Sequence, residues 1–385
     1  MKMVSNYMSS KIKILHLASF NGNIGDNASH IGLSKILYNI IDDYSIDKLE
    51  IRRLYKNYSL EDKLNFDIEF VNYINKYDYF IIGGGGFLDY WIEDSKTGTT
   101  IDVDLEIFSK ITTKILITSV GSIPHKKIPE GNIEKFKKFL DFLLNKENIK
   151  VLFRNDGSVD NLNELFNNKY KEKLIEILDN GFFYENHLDF KITEKKYISI
   201  NTTIDQLLMN NKKIGFINKE NFNKNIIKYI RYILDNTNLS IVFIPHIYKD
   251  IEAFMDIIKN INDYQIRTRL IIAPYIQGDA GCNLLFSIYK KSELIIGMRL
   301  HSNVCNLAMN KKIIPIASLD RVINLYNSIG LKDNLINITD KNFYNDLINK
   351  TNYYLSNNFE ESFLNKKKIE TMEIYKKYFK YDNKK

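Results

Sequence analysis

The chain has 385 residues, 44% hydrophobic and 26% charged, with only 17 Gly and 5 Pro; this ordinary globular composition excludes collagen-like, fibrous and disordered classes. Length predicts two to three domains, and the net charge of +7 is mild for a chain of this size. The two cysteines, Cys282 and Cys305, sit among apolar or small residues, which excludes a disulfide scaffold and predicts buried free thiols in a reducing compartment.

Met1 to Ser10 is polar and lacks the apolar core of a signal peptide. No window approaches the roughly 18 apolar residues of a membrane span, so a soluble, cytoplasmic protein is expected. The first predicted strand is the β-branched run Lys11 to Ser19, which ends in a polar turn at Asn21 to Asn27. Ile31, Leu33, Ile36, Leu37, Ile40 and Ile41 then recur at helical spacing, completing a strand, loop and helix. Tyr79 to Ile82 runs into four glycines, Lys114 to Val120 ends at Gly121, and Ile149 to Phe153 ends at Arg154, with a helix around Phe136 to Leu144. Strands alternating with helices predict a parallel sheet covered on both faces.

Periodicity is lost between Gly181 and Lys196, where a hinge is expected. It resumes with strands at Tyr197 to Asn201, Leu239 to Pro245, Arg269 to Ala273, Glu293 to Gly297 and Lys312 to Ala317, separated by helices near Ile226 to Leu234, Ile251 to Ile261 and Leu284 to Tyr289. Ile369, Met372, Tyr375 and Phe379 predict one face of a terminal helix that packs back. The expected architecture is therefore α/β: two doubly wound, Rossmann-like domains facing across a cleft, in the GT-B manner. Its divisions are residues 1–185, an acceptor-side domain, 186–345, a donor-side domain, and 346–385, a lysine-rich helical segment. From Phe363 to Lys385 eight lysines stand against three acidic residues, which suits either a solvated helix face or peripheral contact with anionic lipid.

In such a fold ligands bind at the carboxyl ends of the strands, and four loops fall there. In Asn23-Ile-Gly-Asp-Asn27, Gly25 permits a tight turn while Asp26 or Asn27 could cap the next helix; the functional version points Asn23 and Asp26 at sugar hydroxyls. Gly83, Gly84, Gly85 and Gly86 surrender backbone entropy, implying close approach of something to the main chain, either packing or an anion held by N–H groups. No Gly-Lys-Ser/Thr follows, and Leu88 breaks the Gly-x-Gly-x-x-Gly spacing, so nucleotide hydrolysis and dinucleotide chemistry are disfavoured. Arg154 ends an apolar strand, suited to a carboxylate or phosphate or else to an ion pair with Asp156. In Gly297-Met-Arg-Leu-His-Ser302, Arg299 and His301 point the same way if the residues are extended, and Ser302 would cap a helix whose N-terminus favours anions.

Asn23-x-Gly-Asp, the glycine run, Arg154-Asn-Asp-Gly-Ser158, Gly297-x-Arg-Leu-His-Ser302 and the proline-bearing strand leading to Arg321 occur in order. Together they resemble the polysaccharide pyruvyl transferases. Asn155 stands where that family commonly has Asp, and Arg321 where it usually has Lys. The resemblance implies transfer of the enolpyruvyl unit of phosphoenolpyruvate onto two hydroxyls of one sugar of a surface polysaccharide or its precursor, giving a ketal and phosphate. It also implies Arg154, Arg299 and Arg321 as a clamp on phosphate and carboxylate, with Leu300, His301 and Ser302 at the donor. His301 would hold the phosphate or act as general acid, and Asp26 would assist the attacking hydroxyl. No metal or cofactor beyond the co-substrate is expected, because neither His-Glu-x-x-His nor a cysteine cluster occurs. The acceptor could be lipid-linked. The competing readings are a GT-B glycosyltransferase using a nucleotide sugar and a carbohydrate-binding protein without chemistry. Nucleic-acid binding is disfavoured, because the positive charge gathers in one tail without aromatic interleaving.

Overall fold

The computed structural model describes residues 11–209, 212–357 and 363–380, so the readings of Met1 to Ser10 and of the last lysines, Lys384 and Lys385, lie outside the described residues. The first lobe is a parallel sheet of β1 (Ile12–Ala18), β2 (Tyr44–Glu50), β3 (Tyr79–Gly85), β4 (Lys114–Val120), β5 (Ile149–Arg154) and β6 (Ile175–Ile177), in the order β2-β1-β3-β4-β5-β6. Its crossovers carry α1 (Ile24–Tyr38), α2 (Ile68–Ile74), α3 (Leu105–Phe108), α4 (Asn132–Asn145) and α5 (Ser158–Leu165). The second lobe orders its strands β12-β11-β10-β7-β8-β9, again all parallel. These are β7 (Tyr197–Asn201), β8 (Ser240–Phe243), β9 (Leu270–Ile272), β10 (Leu294–Gly297), β11 (Ile313–Ala317) and β12 (Ile336–Asn337). Its helices are α6 (Lys219–Asn236), α7 (Tyr248–Ile258), α8 (Asp263–Arg269), α9 (Gly278–Lys290), α10 (Leu300–Ala308), α11 (Asp320–Ser328) and α12 (Phe343–Ser356), and the chain closes with α13 (Phe363–Lys380).

Each lobe is thus a doubly wound α/β unit, as the alternating pattern predicts. Strands such as Phe80-Ile-Ile82 and Ile115-Leu-Ile117 are fully buried, because helices cover both faces of the sheet. In the first lobe Phe70 of α2, Phe108 of α3 and Phe136 and Phe139 of α4 pack on one face. The other face receives Leu33, Ile36 and Leu37 of α1 together with Tyr375 and Phe379 of α13. The last helix therefore returns to the first lobe, where it covers Ile81, Leu116 and Leu152. Ile369 does not share that face: it is 64% exposed, and the buried stripe runs through Leu364, Thr371, Tyr375 and Phe379 instead. None of the described helices is long and apolar enough to cross a membrane.

The first residues of the interval read as a hinge, from Gly181, are packed. Asn180–Phe183 form a buried single 3-10 turn, and a Cβ on Gly181 would stand 2.9 Å from Val304 Cγ1 of α10. Ile24, Ala28, Leu178, Phe182 and Tyr184 share one core with Val242, Leu285, Phe286 and Val304 of the second lobe, so the lobes are joined by apolar packing. Strand order reverses between β1 and β3 in one sheet and between β7 and β10 in the other. Both switch points open toward the same place, which fixes where a ligand can enter.

Candidate active site

At the meeting of the two switch points lies a polar cavity of about 80 Å³, lined by Asn23, Asp26, Gly85, Gly86, Arg154, Gln206, His246, Arg299, Leu300, His301 and Arg321. Residues separated by nearly the whole chain thus converge, as the spacing of the strand-end loops suggests. A second, larger opening of about 1320 Å³ runs beside it, lined among others by Tyr90, Ile123, Gly157, Leu207, Asp320 and Asn324, of which Leu207 and Asp320 directly adjoin the cavity residues Gln206 and Arg321 in the chain.

The α1 turn is built around Asn23, which is the N-cap in place of Asp26 or Asn27: its Oδ1 accepts from Gly25 N at 3.0 Å and its Nδ2 donates to Asp26 Oδ1 at 3.2 Å. Gly25 is required for space, since a Cβ there would lie 2.6 Å from His301 Cβ and 2.7 Å from its Nδ1. Burial pushes the Asp26 carboxyl up, against the opposing pull of His301, Arg52 and Arg154.

The glycine run divides by role. Gly83 packs on β4, where a Cβ would meet the Thr118 carbonyl oxygen at 2.2 Å; Gly84 has φ +81° and lies against the His30 ring. Gly85 and Gly86 line the cavity, so of the two alternatives packing accounts for Gly83 and Gly84, and close approach of a ligand is left only to the last two.

Arg154 is 3% exposed, and the expected ion pair with Asp156 is present. Its Nε pairs with Asp156 Oδ2 at 2.6 Å, its Nη1 lies 3.8 Å from Asp179 Oδ2, and the guanidinium still borders the cavity. Gly121 makes room for it, because a Cβ there would reach 2.7 Å from Nη2.

The Arg299 segment differs from expectation. Arg299 itself occupies the N-cap position of α10, so His301 stands in the first helical turn rather than in an extended run. Ser302 is not the cap: it is fully buried, its Oγ donates to the Arg299 carbonyl at 2.7 Å, and it does not border the cavity. The Arg299 guanidinium is engaged through two of its three nitrogens, since Nε and Nη2 grip Asp250 at 2.6–3.0 Å and Nη2 also reaches Asp205 at 2.9 Å and Thr203 at 2.8 Å. Asp250 in turn accepts from His246 N at 2.8 Å. Arg299 is therefore a tie between β7, β8 and β10 loops rather than a free clamp.

His301 Nε2 lies 3.4 Å from Asp179 Oδ1 without hydrogen-bond alignment, and neither Nε2 nor Asp179 Oδ2 has a hydrogen-bond partner. Burial alone would raise the Asp179 carboxyl, but His301, Arg154 and the Gly181 N–H outweigh it and hold it at about 2. Arg321, at the start of α11, makes no ion pair among the described residues, and its buried Nε has no partner. Burial and the nearby Arg154 push it down to about 10. One unsatisfied guanidinium and one unsatisfied imidazole thus face the cavity, beside the N-terminus of the nine-residue α10.

Sequence reasoning missed the acidic partners Asp89, Asp179, Asp205 and Asp250, and the lining residues Gln206 and His246. Asp89 follows the glycine run directly, and Asp250 stands four residues past His246 at a helix start, where a carboxylate reads as an ordinary cap.

Over residues 23–321, most of the chain, the sequence matches the polysaccharide pyruvyl transferase family. The chain belongs to that family. It is accordingly a transferase, with a polysaccharide as the acceptor class the family implies. No curated protein matches it in sequence. Among solved structures, a UDP-N-acetylglucosamine 2-epimerase is similar with a TM-score of 0.54 at 11% identity, over 91% of this chain and 92% of that one. The apo structure of OtsA is similar with a TM-score of 0.52 at 9% identity, over 98% of this chain and 99% of that one. These likenesses show that the chain shares the two-lobed Rossmann-like fold.

Proposed function

We propose that the protein transfers the enolpyruvyl group of phosphoenolpyruvate to a sugar of a surface polysaccharide or its precursor, forming a ketal and releasing phosphate. The observation that carries this reading is the convergence of Arg154, His301 and the unpaired Arg321 on one small cavity at the N-terminus of α10. The donor carries a phosphate ester and a carboxylate on one carbon, and Arg321 and the open side of Arg154 supply two forks for them. His301, backed by Asp179, holds the phosphate or passes a proton to it as it leaves. Arg299 keeps Asp250 and the α10 start in register, so its role is positioning.

Protonation of the methylene carbon leaves an oxocarbenium-like centre at the neighbouring carbon, which a sugar hydroxyl attacks. Departure of phosphate then permits the second hydroxyl to close the ketal. Of the two hydroxyl protons released, one balances the new methyl group and one leaves on phosphate. The larger groove beside the cavity offers the acceptor its place. Asp26 lines the same cavity and is the carboxylate assigned to the incoming hydroxyl.

Thermal melts test the donor. Phosphoenolpyruvate raises the melting temperature and UDP does not; the reverse pattern would transfer the assignment to a nucleotide-sugar glycosyltransferase. Mass spectrometry of a methyl glycoside panel incubated with phosphoenolpyruvate then identifies the acceptor.

A further inference from the structure

The carboxylates around the cavity outnumber its cations, and most of them are satisfied. Asp156 is held by Arg154 and by Ser158 N and Oγ, while Asp179 accepts from Gly181 N and has the Arg154 and His301 charges within 4 Å. Asp205 and Asp250 share Arg299, and Asp320 accepts from three successive backbone N–H groups, Lys212, Lys213 and Ile214. Two carboxylates stand apart from this pattern. Asp26 meets the Asn23 amide and the Ser19 hydroxyl but no cation in an ion pair among the described residues, and Asp89 meets one backbone N–H, that of Ile123 at 2.7 Å on Oδ1.

Asp89 is the better placed of the two. It is 7% exposed and makes no ion pair among the described residues. Its Oδ2 lies against Gly86, close enough that a Cβ there would stand 2.6 Å away. Gly86 lines the small cavity while Ile123 lines the large groove, so this one carboxyl group touches the walls of both. The charged groups facing it are Arg154 from the end of β5, Arg321 from α11 and Asp156 from the loop after β5, with the Tyr90 phenol next to it in the chain.

We propose that Asp89 takes up a proton when the donor enters and carries it at the junction of donor cavity and acceptor groove. This rests on the phosphoenolpyruvate reading given above. A phosphate and a carboxylate placed on Arg154 and Arg321 occupy the two cations that favour the Asp89 anion, and they add negative charge beside it. Neutralising the carboxyl is then the least costly response, since a charge buried without a partner is heavily penalised. Burial already pushes this carboxyl up to about 7, against the pull of Arg154 and Arg321. The reaction delivers one proton to the methylene carbon and recovers one from each hydroxyl, and a protonated group between donor and acceptor lies on both routes.

Calorimetric titration of phosphoenolpyruvate at about pH 8, repeated in buffers of different ionisation enthalpy, counts the protons taken up. Wild type is expected to absorb about one proton more per donor bound than Asp89→Asn, whereas Asp26→Asn matches wild type. The asparagine keeps an oxygen for Ile123 N, and its melting temperature verifies folding. Independently, wild-type affinity falls by roughly tenfold per pH unit above about 7, and that slope flattens in Asp89→Asn. Unchanged uptake in Asp89→Asn, or its loss in Asp26→Asn, overturns the proposal while leaving the donor standing. Failure of wild type to bind phosphoenolpyruvate overturns the donor reading itself.

Discussion

At the scale of single residues, the cavity is organised by which charges are already spent. Arg299 and Arg321 are both cations at its wall, yet opposite consequences follow from removing them. Arg299→Met strands Asp250, a fully buried carboxylate, and breaking such a pair costs about 3–5 kcal/mol, visible as a lower melting temperature with or without donor. Arg321→Met breaks no ion pair or hydrogen bond among the described residues, and the one carboxyl its field favours, Asp89, is already held up at about 7 by burial and can take a proton, so the melting temperature holds or rises while stabilisation by phosphoenolpyruvate disappears. Equal destabilisation by both substitutions would remove the distinction between tie and clamp. Gly25 offers a second test. Its missing Cβ is the space the His301 ring occupies, so Gly25→Ala displaces the imidazole rather than deleting it. Turnover is expected to fall on the order of a hundredfold, as small misplacements of reacting groups do, with the fold retained in circular dichroism. Wild-type turnover in Gly25→Ala would show that the placement of His301 is immaterial.

Elements were legible in proportion to their burial. The central strands read clearly because helices on both faces force continuous apolar runs, as in Tyr79 to Ile82 and Glu293 to Gly297. The edges did not. In β2, Tyr-Ser-Ile-Asp-Lys-Leu-Glu, only Leu49 is buried, and β6 and β12 are three and two residues long, too short for a period to show. The start of α10 was misread because Ser302 looks like a cap, whereas Arg299, held by Asp250 and Asp205 from 49 and 94 residues away, fixes where the helix begins. Long-range pairing of that kind leaves no local pattern. The terminal helix was legible through its apolar stripe, and its place has a physical reason: apart from α1, no first-lobe crossover helix supplies residues to the face it covers. Tyr375 anchors it, giving its hydroxyl to Asn180 Oδ1 at 2.7 Å and bonding Thr118 Oγ1. Removing residues 363–385 therefore does more than strip lysines. It uncovers Ile81, Leu116 and Leu152 and forfeits the burial of Tyr375 and Phe379, on the order of 3–6 kcal/mol, measurable as a lower denaturant midpoint. An unchanged midpoint would mean that the helix is a passive cover. Membrane contact is accordingly better tested by replacing exposed Lys366 and Lys377 with Glu in the full chain and sedimenting with anionic liposomes.

At the scale of the whole molecule, the sequence pattern indicates two lobes but says little about how firmly they are joined. The interval from Gly181 to Lys196 lacks period, which invites the reading of a loose linker. Its first residues instead lie in the seam, where Phe182 and Tyr184 pack with Phe286 and Val304 in one shared core. Polar contacts extend the seam around the cavity: Asn27 Nδ2 donates to Asp279 at 2.9 Å, Asn155 Nδ2 to Ser328 at 2.7 Å, and Asn324 Nδ2 to the Asp156 carbonyl at 3.0 Å. Gly157, with φ +90°, lets Asn324 approach so closely that a Cβ would lie 2.1 Å from its amide nitrogen. Separate domains usually meet through modest, polar surfaces that permit independent motion and unfolding. Here the contact is apolar and continuous with both cores, and α13 ties the end of the chain back to the first sheet. Neither lobe keeps its buried surface without the other, so thermal unfolding is expected as one transition, with calorimetric and van't Hoff enthalpies in agreement. A substitution in the seam such as Phe182→Ala, costing about 3–5 kcal/mol, then lowers that single transition as a whole. Two resolved transitions, with only one displaced by Phe182→Ala, would show instead that the lobes fold independently and that the cavity's cations are brought together only when a ligand closes it.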